Sequence, residues 1–306
     1  MTAPLVLRFT AFAGVMCISF AAIFFRLAAT PPVTAVFFRA LYALPVLALA
    51  AFGVRRRDTR PVRSRLLAGA AGVVLAVDLA LWHVSIENIG AGLATVLAAT
   101  QVLFVAGLAW LLHRERPTAS AMLTIPIIIA GIALLSGLGR ADAYGKNPAL
   151  GVAFGVATGL TYATFLLVMR ASNRARLAPS AGPVLDATLG TAGGALLMGL
   201  ALPVDFGFAV SWPAHGWLAA LALVAQAAGW LLITSALPRL PALDTSVLIL
   251  LQPVGAIIWA YLIFTEELST VQWSGVALVL GGILFLSGRG AVRTGSVEPV
   301  ATGEQV

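Results

Sequence analysis

The stretch DLALWHVSIENIGAGLATVLAATQVLFVAGLAWLLHRERPTASAMLTIPIIIAGIALLSG, residues 78–137, has a second copy in the same chain. Shifted by 151 positions without a gap, it lies on residues 229–288. Gln101 then meets Gln252, Glu115 meets Glu266, and Gly131-Ile132 meets Gly282-Ile283. Leu135-Ser136-Gly137 meets Leu286-Ser287-Gly288. Each copy is a long apolar segment, a short polar break ending in a carboxylate, and a further apolar segment.

The rest of the chain has the same character. Of 306 residues 60% are hydrophobic and only 10% charged, where a soluble domain carries about 25%. Ten spans of about 20 residues, each long enough to cross a bilayer, would take roughly two thirds of the length, and no remaining piece could form a separate soluble domain. The single cysteine, Cys17, excludes an internal disulfide. A formal charge of +7 and a pI near 10.7 would suit nucleic acid if the arginines formed a soluble patch. They sit instead in short loops between apolar runs, where they act as topology signals, so no nucleic-acid partner is expected.

The apolar runs follow one another from Phe9 to Ser287. The first, Phe9 to Ala29, has the basic start of a signal peptide, but Ala28-Ala29-Thr30 is a poor cleavage site and a retained helix is expected. The others are Val33–Val54 (with a kink expected at Pro45), Leu66–Ile86, Ala91–Leu112, Thr118–Leu138, Ala149–Met169, Pro183–Leu202, Ala214–Ala236, Leu243–Thr265 and Val271–Ser287. A tight Glu87-Asn88-Ile89-Gly90 turn joins the third and fourth. Gly151, Gly155 and Gly159, at spacing four, suit close helix packing. A cytoplasmic N-terminus places 15 of the 19 basic residues inside, including the six arginines of residues 55–65, so both termini are expected in the cytoplasm. Five spans per half then orient the halves oppositely. The expected fold is an all-α integral membrane protein of ten transmembrane helices in two inverted five-helix repeats, residues 1–140 and 149–288, followed by a disordered tail, 289–306. Duplicated, inverted halves are a common plan of secondary transporters and give alternating access around a site where the halves meet.

Several of these residues resemble a known family. Asp78-Leu-Ala-Leu-Trp82-His83, the tight turn, small residues through Ala91–Ala99, Trp110 and Glu115-Arg116-Pro117-Thr118 are similar to a first EamA repeat. Gln252-Pro253 and Glu266-Glu267-Leu268-Ser269 are similar to a second. The resemblance covers about residues 9–288 and places the chain among EamA-type members of the drug/metabolite transporter superfamily. It implies a bacterial inner-membrane exporter of amino acids or other small metabolites, with a cavity lined mainly by helices 1, 3, 4, 6, 8 and 9. Two departures stand out. The first repeat has Val102 where the second has Pro253, so the fourth helix is expected to lack its partner's kink. The first helix carries no carboxylate, which puts a one-glutamate proton coupling in doubt.

Ionisable groups within a bilayer usually face protein or a water-filled cavity. Asp78, near the middle of the third run, is either a cavity acid for a substrate ammonium or a proton, or a structural acid paired with a neighbouring helix. His83 lies one turn before Glu87 on the same face, as a proton or carboxylate partner or an interfacial hydrogen-bonding group. Trp82 shares the Asp78 face and would give an aromatic wall for an amphipathic substrate, or plain packing. Tyr162, Trp230 and Gln226 lie near mid-span in the sixth and eighth runs. Gln101 and Gln252, repeat mates, would bind substrate polar groups or tie helices together, the tie being slightly favoured.

These eight residues are the expected substrate site. Glu115 and Glu266 read as scaffold at span ends, and Asp186 and Asp244 as carboxylates favouring helix N-termini. Arg26 and Arg39 would attract anions from the outer vestibule or, as the simpler account, snorkel to headgroups. His83, His113 and His215 are too scattered for a metal site, and no cofactor is expected. The expected partners are a small-molecule substrate and the lipid bilayer, and a monomer would suffice. The expected activity is export of aromatic or other neutral amino acids and similar metabolites, with no enzymatic role. A proton-coupled drug or cation exporter and a membrane-embedded lipid-modifying enzyme are the rivals, the latter lacking a catalytic polar cluster.

Overall fold

A computed structural model describes residues 3–113, 118–136, 143–173, 179–236, 239–240 and 242–289. Among these residues there are helices and no strands. The helices are α1 (Ala3–Ser19), α2 (Ala21–Ala28), α3 (Pro32–Val54), α4 (Val62–Ala98), α5 (Gln101–His113) and α6 (Ala119–Leu135) in the first half. The second half holds α7 (Pro148–Ser172), α8 (Ala181–Ala201), α9 (Ala214–Ala220), a π-helical segment (Leu221–Gly229), α10 (Trp230–Ala236), α11 (Ala242–Phe264) and α12 (Thr270–Arg289). Seven helical stretches are long and apolar enough to cross a membrane, and Met122–Leu135 and Thr270–Leu286 are shorter apolar helices. Large side chains such as Leu49, Leu66, Leu111, Leu197 and Leu262 are exposed on the outside of the bundle. That surface suits lipid, and the chain is a multi-pass membrane protein.

Local sequence sets the helix ends. Proline at the first turn of α3 and α7 costs no hydrogen bond there, and Asn147 Oδ1 accepts the Leu150 N–H at 3.1 Å to cap α7. The expected Glu87–Gly90 turn is tighter than the sequence suggests. Helix continues to the tip, and Gly90 alone leaves it, at φ 84° and ψ 169°. The fourth run, expected to lack a kink, is the one that is interrupted. α11 runs unbroken through Pro253, whereas the first-half partner breaks at Ala99–Thr100. There the Thr100 N–H and Oγ1 both donate to Leu97 O, at 3.0 and 2.6 Å, so a hydroxyl competes with the helical ladder without proline.

Glycines set the closest contacts. A Cβ on Gly151, Gly155 or Gly159 would strike Ile89, Leu97 or Thr100, so the glycine stripe of α7 packs on α4 and the break after it. Ser85 Oγ donates to Gly151 O at 2.7 Å in the same contact. α4 also approaches α8 backbone to backbone at Gly72 and Gly190, where Thr191 Oγ1 donates to Gly72 O at 3.0 Å. α6 and α12 meet in a self-matching way. A Cβ on Gly131 would stand 2.8 Å from Val279 Cγ2, and one on Gly282 2.7 Å from Ile128 Cγ1. Gly131 and Gly282 are 151 apart, as are Ile128 and Val279, so the duplicated positions exchange partners. Gln272 at the start of α12 reaches Leu135 O at the end of α6, so the two helices run antiparallel.

Two faces collect the helix ends. On one, Arg26 at the end of α2, the Gly90 break and the Glu266 segment after α11 meet, and the Asn147 N–H at the start of α7 donates to Asn88 O. On the other, Arg60 of the α3–α4 loop pairs with Asp58 of the same loop and Asp186 of α8, and Arg65 of α4 pairs with Asp58. Arg60 is not a solvated loop charge. Its side chain is 1% exposed, with Nη2 donating to Asp58 Oδ2 and Asp186 Oδ2 at 2.8 Å each. These bonds hold the Asp58 carboxyl below the usual carboxylate range. Asp186 therefore serves this clamp in the second turn of α8 rather than the helix terminus. Glu115, the side chain of Asp244 and residues 290–306 of the tail lie outside the described residues.

Candidate functional site

The interior between the halves holds an uncommon number of buried charged and polar groups. Arg39, Asp78, His83 and Gln226 are all buried, at 4, 2, 0 and 3% exposure. Arg39 comes from α3, Asp78 and His83 from α4, and Gln226 from the π segment, which lies in the eighth apolar run. Arg39 Nη2 donates to Gln226 Oε1 at 2.9 Å, and the Thr161 hydroxyl of α7 donates to Asp78 Oδ1 at 2.9 Å. Asp78 and Tyr162 lie within electrostatic reach of the Arg39 charge, yet no ion pair joins Arg39 to Asp78. Both halves of the chain thus contribute to one polar centre.

Aromatic groups flank it. His83 stacks on Phe25 with ring centres 3.8 Å apart, and Trp82 tilts against His83 at 5.6 Å. His83 Nδ1 lies 3.1 Å from Pro32 O. A carbonyl can only accept, so Nδ1 donates. On the other side Phe165 joins Tyr162 and Trp230, at 5.5 and 5.7 Å. Several buried polar atoms here have no partner among the described residues: Arg39 Nε and Nη1, Trp82 Nε1 and His83 Nε2. Buried polar groups are nearly always bonded, so these atoms call for polar partners, water or a bound molecule.

Above the centre lies an open cleft of about 910 Å³, lined by Arg26, Pro32, Glu87, Asn88, Gly90 and Tyr144 among others. Phe25 and Pro32 belong to the cleft and also touch His83. Arg39 is seven residues beyond Pro32 on α3, about 10 Å deeper at 1.5 Å per residue. Behind the cleft lining Glu266, its side chain 3% exposed, is ion-paired with Arg26. It also accepts the Ala91 and Gly92 N–H groups at 2.8 and 3.2 Å, capping the helix that restarts after Gly90. Arg26 lies 4.0 Å over the Phe264 ring. Burial and the Glu266 charge push the Tyr144 hydroxyl above its usual value. Gln272 holds the Tyr144 backbone at both ends, accepting its N–H at 2.9 Å and donating to its carbonyl at 3.1 Å.

Of the eight expected site residues, Asp78, Trp82, His83, Tyr162 and Gln226 gather around this centre, with Trp230 reaching it through Phe165. His83 bonds Pro32 rather than Glu87, which is exposed. The helix tie expected of Gln101 is not made: its Oε1 is buried without a donor. Gln252 is half-buried on α11. Snorkelling is the wrong account of both arginines. Arg39 is buried in the centre, and Arg26 is held by Glu266. A depth of about 10 Å, more than an arginine side chain easily spans, was the available sign for Arg39. His215 is structural: Nε2 must donate to Ala209 O at 3.0 Å, leaving Nδ1 to accept the Tyr42 hydroxyl at 2.7 Å.

Bilayer-length apolar helices enclose the buried charges of Arg39 and Asp78, supplied by the first half, and their neutral partners Gln226 and Thr161, supplied by the second. The chain belongs to the EamA-like transporter family, whose pattern matches residues 8–137 and again 149–288. It is 27% identical over 221 residues, 71% of each chain, to YwfM, an uncharacterized transporter of Bacillus subtilis (strain 168). The fold is similar to that of a crystal structure described only as that of a protein, with a TM-score of 0.63 at 16% identity, covering 94% of this chain and 99% of the other.

Proposed function

We propose that this transporter exports amino acids, aromatic or otherwise neutral, and similar small metabolites across the bacterial inner membrane by alternating access. The polar centre carries this reading: Arg39 and Asp78 from the first half and Thr161 and Gln226 from the second converge on one buried locus. Substrate sites of duplicated transporters lie where the repeats meet. Asp78 receives the substrate ammonium, and Trp82, Tyr162 and Trp230 supply apolar walls for its side chain. The protein works as a ten-span monomer of two inverted repeats, without a catalytic role. Two features support inversion: α7 begins at the face where α2 ends, and α6 and α12 pack antiparallel with duplicated positions trading partners. The face bearing the arginine-rich loop is cytoplasmic, which makes the cleft extracellular.

A proton-coupled exporter of lipophilic cations is the reading that Asp78 alone would favour. The Arg39 charge beside it opposes a cationic ligand. A substrate panel in proteoliposomes, with and without a pH gradient, separates the two. Uptake of amino acids down their gradient is expected, and activity confined to cationic dyes or lipids would refute the proposal.

A further inference from the structure

Arg39 is the one charged group of the interior that sequence reasoning placed elsewhere, and its bonding is incomplete. Nη2 is committed to Gln226, while Nε and Nη1 are buried and meet no acceptor among the described residues. A guanidinium has two forked edges, Nε with Nη2 and Nη1 with Nη2. One bond from Nη2 leaves one of those forks whole. Asp78 does not fill it, because its Oδ1 takes the Thr161 hydroxyl and no ion pair links it to Arg39. A buried cation and a buried acid therefore lie within reach of each other's field, each turned towards a neutral partner.

We propose that Arg39 is the carboxylate-binding residue of the transport site, so that the substrates are small zwitterions read at both ends, the carboxylate by Arg39 and the ammonium by Asp78. This rests on the transport reading above. A planar carboxylate has the two oxygens that a guanidinium fork matches. Trp82 Nε1 is a further unpartnered donor in the same interior. A ligand with only one charge leaves the opposite buried charge unmet, which discriminates strongly in a site of low dielectric. An amine faces the Arg39 charge and a simple anion faces Asp78. Had Arg39 served only to hold Gln226, a single N–H would have sufficed.

The test measures uptake of each of the twenty radiolabelled amino acids into proteoliposomes. The best of them is then competed with its analogue lacking the carboxylate and its analogue lacking the ammonium. For the wild type, each analogue should need about tenfold or more higher concentration than the amino acid for half-inhibition. Arg39→Gln should weaken competition by the amino acid by a similar factor and leave the decarboxylated analogue unchanged, with Arg39→Lys restoring part of the loss. A wild type that takes the decarboxylated analogue as well as the amino acid overturns the assignment while leaving transport intact. An Arg39→Gln variant that weakens both ligands equally overturns it too, since that marks a structural role. Should Arg39→Gln not fold, the wild-type analogue comparison decides alone. No uptake of any amino acid overturns this inference together with the reading it rests on.

Discussion

Replacing Glu266 by alanine should lower the melting temperature of the purified protein by about 6 °C. Glu266 accepts the Ala91 N–H at 2.8 Å, the Gly92 N–H at 3.2 Å and the Arg26 guanidinium, from a side chain only 3% exposed. Alanine orphans both amides, at about 1–3 kcal/mol each. Gly90 lines the open cleft beside them, so water can partly replace the carboxylate, and the lower end applies. Arg26 is 28% exposed, so losing its partner adds only about 1 kcal/mol after screening. The sum is about 3 kcal/mol. At roughly 2 °C per kcal/mol for a chain of this size, that is about 6 °C. Glu266→Gln keeps one neutral acceptor and should lose about half as much. The assay is thermal unfolding followed by tryptophan fluorescence in one detergent, for wild type, both variants and Arg26→Ala. A shift below about 2 °C for Glu266→Ala would refute the capping argument. Equal shifts for alanine and glutamine would refute the division of energy between amides and ion pair.

Gly90→Ala should cost about 2 kcal/mol or more, because φ is 84° and a Cβ would stand 2.6 Å from Glu266 Oε1; in a Glu266→Ala background the loss should shrink but not vanish. Asp58 has its carboxyl lowered by Arg60, so its contribution is present above the ordinary aspartate value near 3.9 and fades as pH falls through the folded value. The melting-point gap between wild type and Asp58→Asn should therefore be full at neutral pH and narrow below about pH 4, and a gap constant down to pH 3 would exclude the clamp. If Asp78 couples protons to transport, Asp78→Asn should abolish pH-driven uptake and spare exchange. Trp82→Ala and His83→Ala should impair uptake with folded protein retained, and unchanged kinetics would remove them from the site.

The apolar runs and the 151-residue repeat were legible because hydrophobic patterning in a membrane protein leaves the backbone few alternatives. The aromatic and acidic members of the site could be picked out because a polar group in an apolar run needs a reason to be there. Arg39 was misread because periodicity fixes a residue's face but not where a long side chain ends. Its partner Gln226 sits in a π-helical segment, whose extra residue per turn shifts the face that a 3.6-residue period assigns. The break at Thr100 escaped for a related reason. Proline is a visible helix breaker, whereas a threonine hydroxyl competing for a carbonyl is decided by packing, here the approach of Gly159.

The contact between α6 and α12 is matched across the repeat, since Gly131 on one helix packs on Val279 and Gly282 on the other packs on Ile128, the duplicated pair. A motion that swaps the shapes of the two halves leaves such a contact unaltered. Under the proposed alternating access it would act as a neutral fulcrum: damage there should weaken the protein without tipping it towards opening on one side rather than the other.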